Sequence, residues 1–129
     1  LSAMRQLVSA GHRVHIAGRN EEKLSLNASE LGATYSVVDG TSFSEVGALL
    51  KDVKGQHGRL DGAICCLGNI ILKPAHLTSQ EEFAQTVSLN LNSAFALVAA
   101  AGRVMRSEGG SVWRRGRGVC VSAGRVCVS

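Results

Sequence analysis

Few side chains in this sequence have the type and spacing that chemistry requires. Gly18 and Arg19 form a turn after the alternating segment RVHIA at 13–17, and on its own Arg19 reads as an exposed turn arginine. Asp39 and Gly40 close the β-branched run TYSVV at 34–38; an aspartate at a strand end commonly forms a turn through its own carboxylate. Leu67 and Gly68 end the stretch LDGAICCLG at 60–68. Asn90 stands in a largely apolar stretch, where a lone asparagine faces solvent or bonds nearby backbone. Cys65, Cys66 and His76 lack the paired spacing of zinc ligands, and His12, His15 and His57 are scattered, so no metal centre is expected. Arg114, Arg115, Arg117 and Arg125 lie in the segment 112–129, which holds no acid. Arginine-rich segments do bind phosphate backbones. Here four arginines and one tryptophan fit an aberrant, disordered tail better than a nucleic-acid arm.

These residues need elements to position them, and the pattern supplies helix and strand in alternation. Leu1, Met4, Leu7 and Val8 share one helical face, closed by Gly11. Asn20 N-caps a second helix that stops at Gly32, with Glu21 and Glu22 near its positive end. Ser42 with Glu45 reads as a capping box ahead of the stripe Val46, Leu49, Leu50 and Val53. LDGAICCLG has no polar alternation from Gly62 to Leu67, as in a strand covered on both faces. Thr78 with Glu81 reads as another capping box. Phe83 to Met105 then reads as one long helix or two broken ones, with Phe83, Val87, Leu91, Phe95, Val98 and Met105 as candidate core residues. Such alternation predicts βαβ units in an α/β fold, a parallel sheet with helices on both faces.

Composition sets the bounds. The chain of 129 residues is 45% hydrophobic, enough for one domain. No apolar run approaches the roughly 20 residues that cross a bilayer, so no membrane partner is expected. The net charge of +4 belongs to the tail. Without those four arginines the body carries as many basic as acidic residues, which gives no basis for nucleic-acid binding there. Adjacent Cys65 and Cys66 point to opposite faces of a strand and read as free buried thiols. A reducing compartment such as the cytoplasm is the default.

Four motifs in order resemble the short-chain dehydrogenases/reductases: GHRVHIAGRNEEKL their second strand and turn, VVDG the end of their third strand, LDGAICCLG their fourth strand and Asn-Asn-Ala-Gly motif, and VSLNLNSAF their Asn-containing helix. The match runs from Leu1 to about Val112. It implies a Rossmann-type sheet binding a nicotinamide dinucleotide and a reaction between a small carbonyl or alcohol substrate and that cofactor. Gly18 stands where NAD-preferring members often place an acid, and Arg19 beside it suits the 2′-phosphate of NADP through room and bidentate charge pairing. NADP rather than NAD is therefore implied. Asp39, with Gly40 in the same motif, matches the position that accepts from the adenine amino group. Leu67 and Gly68 match backbone positions close to the cofactor ribose. Asn90 matches the catalytic asparagine of a water-linked proton relay. The 83–105 helix resembles one that the family often buries in homo-oligomers.

The departures from the family are equally legible. The glycine-rich pyrophosphate loop and the first strand are absent, since Leu1 already lies within the helix that follows them. In the family's strand order that strand is central, so Val14–Ala17 and Gly62–Leu67 are expected to face each other across two open edges. No Tyr-x-x-x-Lys exists, and Tyr35 is the sole tyrosine. Ser122 resembles the surroundings of the catalytic serine but falls several residues late. The organisation expected is a partial dinucleotide-binding domain over 1–111 and a basic tail over 112–129. The expected function is that of a fragment of an NADP(H)-preferring oxidoreductase, inactive alone. The alternative is a non-catalytic protein acting through partners or its tail.

Overall fold

The computed structural model describes residues 2–114 and 125–128. Helix α1 (Ser2–Ser9) leads into β1 (Val14–Gly18), followed by α2 (Glu21–Leu31), β2 (Thr34–Val37), α3 (Phe43–His57) and β3 (Gly62–Cys65). A 3₁₀ turn at Ala75–Leu77 precedes α4 (Gln80–Val87), a π-helical turn (Ser88–Asn92) and α5 (Ser93–Val104). Strands β4 (Ser111–Arg114) and β5 (Arg125–Val128) complete the described chain.

Local chemistry explains these boundaries. Asn20 caps α2 by accepting the Lys23 N–H at 2.9 Å. Gly32 ends it in the left-handed region (φ 61°), its N–H bonded to the Ala28 carbonyl, a conformation that costs glycine little. Ser42 caps α3, but Glu45 does not close the expected box. Its Oε2 accepts the N–H of Asp39 at 2.9 Å instead. The expected box at Thr78 and Glu81 is displaced by one residue. Ser79 and Glu82 form it, each side chain accepting the other's backbone N–H.

All strand pairs are parallel, in the order β2-β1-β5-β3-β4. The α/β fold expected from the alternation is the one observed. The open centre is not. Strand β5 lies between β1 and β3, pairing Val126 with His15 on one side and with Ala63 on the other. Two apolar edges with unpaired backbone groups are an acceptor for any segment that can present matching groups. Residues 125–128 do so. The expectation of a disordered tail over 112–129 therefore fails at 112–114, which continue β4, and at 125–128. Residues 115–124 lie outside the described residues.

Helices cover both faces of the sheet. On one, α3 and α5 enclose Ala17, Val46, Leu50, Ala63, Cys65 and Leu97. On the other, α1 and α2 enclose Met4, Leu7, Ile16, Leu24 and Leu31, with Ile64 and Cys66 packed against them. Cys65 and Cys66 thus face opposite layers, as strand alternation requires, with Cys65 buried and Cys66 half-buried. Lys54 of α3 ties that helix to its neighbour in the same layer by donating to the Val104 carbonyl at the end of α5, at 2.9 Å.

The helix over 80–104 runs on through the π turn. It is long and apolar enough, by length and composition, to cross a membrane; one side of it packs as a core helix. That side is not the expected one. Ser93, Ala96, Leu97, Ala100, Ala101 and Val104 face inward. Phe83, Leu91, Phe95 and Val98 are exposed and Val87 is half-buried, so of the six candidate core residues only Met105 is buried. Small residues allow α5 to approach α3 and the sheet closely, and the bulky stripe is left outside.

Candidate functional site

The site lies at the carboxyl ends of the strands, the edge at which open α/β sheets bind ligands. Gly18 ends β1 and is buried, while Arg19 just beyond it is exposed. The Gly18 carbonyl accepts the Val38 N–H at 2.8 Å, which carries the β1–β2 ladder to the start of the next turn. Asp39 follows, half-buried, with Gly40 buried behind it. Two bonds from Thr41 reach Asp39 Oδ1, the N–H at 2.9 Å and the hydroxyl at 2.8 Å. These bonds hold the Asp39 carboxyl below the usual carboxylate range against a smaller opposing effect of burial, and the charge of Arg19 adds a still smaller lowering. An ionised carboxylate with Oδ2 still able to accept therefore stands within the field of an exposed guanidinium.

The second part of the site is built by β3 and the π turn. Leu67 is half-buried against the α3–α5 core, and Gly68 is exposed beyond it. A Cβ on Gly68 would lie 2.8 Å from Oδ1 of Asn90, so only glycine fits unless Asn90 moves. Asn90 is held in place by its own amide. Its Nδ2 donates within range of the Thr86 carbonyl at 2.9 Å, the Asn69 carbonyl at 3.0 Å and Asn69 Oδ1 at 2.8 Å. Nearby, the Ser93 hydroxyl donates to the Leu89 carbonyl at 2.6 Å and sits 3.7 Å from the Cys65 sulfur. A π turn inside an α-helix frequently marks a functional site. Here it brings Asn90 against the strand exit.

The structure thus brings the expected residues into two groups, Gly18, Arg19, Asp39 and Gly40 at β1–β2, and Leu67, Gly68 and Asn90 at β3–α4. Asn69 was missed. The available signal was a polar residue directly after Leu67 and Gly68. Ser122 lies outside the described residues. Among the described residues, no three His, Cys, Asp or Glu side chains converge as metal ligands would. Beside Asn90, between the 69–79 loop and α4, opens a cavity of about 800 Å³ lined by Ile70, Ile71, Phe83, Val87 and Leu91 among others.

Comparison with known proteins agrees with this geometry. The sequence profile of the family described as enoyl-(acyl carrier protein) reductase matches residues 2–115. An uncharacterized oxidoreductase of Mycobacterium tuberculosis is 30% identical over 115 residues, 85% of this chain and 43% of that protein. A short-chain type dehydrogenase/reductase from Mycobacterium ulcerans superposes with a TM-score of 0.81 at 32% identity, covering 86% of this chain and 44% of that one. An alcohol dehydrogenase from the archaeon Thermococcus sibiricus, complexed with 5-hydroxy-NADP, shares the fold with a TM-score of 0.79 at 23% identity, over 88% of this chain and 51% of that one. The chain spans 43% of the length of the curated relatives it matches.

Proposed function

The chain belongs to the short-chain dehydrogenase/reductase family, and from that premise we propose that it carries the adenine-side half of an NADP(H) site from a carbonyl–alcohol oxidoreductase. The observation that carries this reading is the placement of the exposed Arg19 and of Asp39 just after adjacent parallel strands, β1 and β2, at their carboxyl ends. The residues fit the cofactor's adenosine end. Arg19 would pair bidentately with a 2′-phosphate, and the missing acid at Gly18 leaves room for it. Asp39 Oδ2 would accept from the adenine amino group, with Gly40 allowing close approach. Leu67 and the bare Cα of Gly68 would let the backbone pass close to a ribose. When bound, the nicotinamide would supply the hydride exchanged with the substrate. Asn90, fixed by Asn69 and Thr86, would position a proton-relay water through its amide, and the cavity beside it would hold a small carbonyl or alcohol compound.

Catalysis also needs a general acid to protonate the carbonyl oxygen, and a phenol fits that role when its pKa is lowered. The only tyrosine in these residues, Tyr35, lies in β2 and has no lysine four residues on. We therefore expect binding without turnover from this chain by itself. The exposed Phe95 and Val98, which lie off the cavity wall, suit burial against a second copy, giving a homo-oligomer through the 83–105 helix. The same lack of a general acid favours a second reading, a protein that binds cofactor or partners without catalysis.

The test is calorimetric titration of the purified chain and its Arg19→Ala variant with NADPH and NADH. Loss of a charge-assisted bidentate pair of about 1.5–3 kcal/mol should weaken NADPH roughly tenfold or more and leave NADH unchanged. Equal affinities for both cofactors in both proteins would remove the NADP assignment. NADPH oxidation with a carbonyl panel above a denatured control would remove the claim of inactivity.

A further inference from the structure

The cavity beside Asn90 has an apolar wall and, among the described residues, one cation on its lining, Lys73. A lone ammonium in an apolar pocket would select an anionic ligand. This one is already committed. Lys73 Nζ donates to both carboxylate oxygens of Glu82, each at 2.9 Å. The α4 N-terminus, which also borders the cavity, is the second positive feature. It too is served from within, because Ser79 Oγ accepts the Glu82 N–H and Glu82 Oε2 accepts the Ser79 N–H. Glu81 adds a further carboxylate to the same turn. Bonds from the α4 N-terminal backbone hold both glutamates below their usual range, with Lys73 contributing at Glu82. One residue, Glu82, thus cancels both attractions for an anion at once.

We infer that this cavity is a binding site for uncharged, mainly apolar carbonyl or alcohol compounds, and that the Lys73–Glu82 pair excludes their carboxylate counterparts. An anion entering would meet a lysine already neutralised by Glu82, the surplus negative charge of the α4 first turn, and apolar side chains of Ile70, Ile71, Phe83, Val87 and Leu91 that offer its charge no hydrogen bond. An uncharged ligand pays none of these costs and buries apolar surface. The inference deepens the oxidoreductase reading by naming its substrate class, but occupancy of the cavity does not require cofactor.

The test uses two probes of nearly equal shape, 2-acetylnaphthalene (uncharged) and 2-naphthoate (a carboxylate), titrated into the full chain by calorimetry. The wild type should bind the ketone at least about tenfold more tightly than the carboxylate. Glu82→Gln keeps the capping box, which uses Glu or Gln equally, and frees the Lys73 charge; it should shift that ratio toward 2-naphthoate by about tenfold. Phe83→Ala, at an exposed wall position, should weaken both probes together while the circular dichroism spectrum stays unchanged. Equal or tighter binding of 2-naphthoate by the wild type would overturn the inference. So would an unchanged ratio in Glu82→Gln, indifference to Phe83→Ala, or binding of neither probe. NADPH titrated in parallel separates the two claims, since ketone binding without NADPH binding would sink the oxidoreductase reading and leave the cavity's selectivity standing.

Discussion

Strand β5 is the element whose perturbation should matter most. It is paired on both sides, with residues 125–128 opposite Val14–Ala17 and residues 126–128 opposite Ala63–Cys65. Each residue of such a strand offers one donor and one acceptor to a neighbour. At a net value of about 1 kcal/mol per hydrogen bond, a strand of this length contributes several kcal/mol before packing is counted. That is comparable with the roughly 5–15 kcal/mol that holds a whole domain together. Cys127→Pro removes a donor from the middle of the strand and sets a ring against the ladder, at a cost of about 1–3 kcal/mol for each buried group left unpaired. Arg125→Pro, at the first strand residue, is the control, since proline is tolerated there. Urea unfolding followed by circular dichroism is the assay. The account expects a midpoint well below wild type, or loss of the cooperative transition, for Cys127→Pro and a small change for Arg125→Pro. Equal midpoints for Cys127→Pro and wild type would mean that β5 does not hold the centre of the sheet.

Other consequences are open to similar checks. Gly68→Ala places a methyl group 2.8 Å from Asn90 Oδ1 and should cost about 1–3 kcal/mol as an overpacked site; adding Asn90→Ala should recover part of that loss in a double-mutant cycle. His15 is buried, with Nδ1 2.8 Å from Thr34 Oγ1 and Nε2 3.0 Å from Ser36 Oγ, and burial, then the charge of His57, lowers its pKa from 6.5. The unfolded chain therefore binds the proton first, so stability is fully present above pH 6.5 and falls as pH drops below it. His15→Gln should flatten that part of the stability profile relative to wild type. Ser111 Oγ is buried with no hydrogen-bond partner among the described residues, so Ser111→Ala should leave the unfolding midpoint unchanged or raise it by the equivalent of about 1 kcal/mol.

Much of this was legible because the signals were local. Asn20 and Gly32 marked the ends of α2 through capping chemistry that needs no tertiary partner. The unbroken apolar run of β3 revealed a strand covered on both faces, and Cys65 and Cys66 fell to opposite layers as strand geometry dictates. What failed was set by long-range contacts. Side-chain size pointed to Phe83, Leu91, Phe95 and Val98 as core, whereas close helix packing selected Ala96, Ala100 and Ala101. The π turn rotates the helical stripe between α4 and α5, and a fixed helical period hides that. Residues 125–128 looked like part of a tail because four residues carry too little pattern to declare a strand; only the paired edges of β1 and β3 give them a place. The candidate site was read by motif order, but what holds Asn90 was not, since Asn69 becomes its partner only once the β3 exit meets the helix.

The central claim is that this chain holds the adenosine end of an NADP(H) site. Thermal unfolding of the purified chain by circular dichroism, with NADPH, with NADH and without either, tests it most directly. A ligand that binds only the folded form adds roughly 2.7 kcal/mol at 100 times its dissociation constant. The account predicts a cooperative transition that NADPH moves to higher temperature and that NADH moves less. A cooperative transition indifferent to NADPH would contradict it.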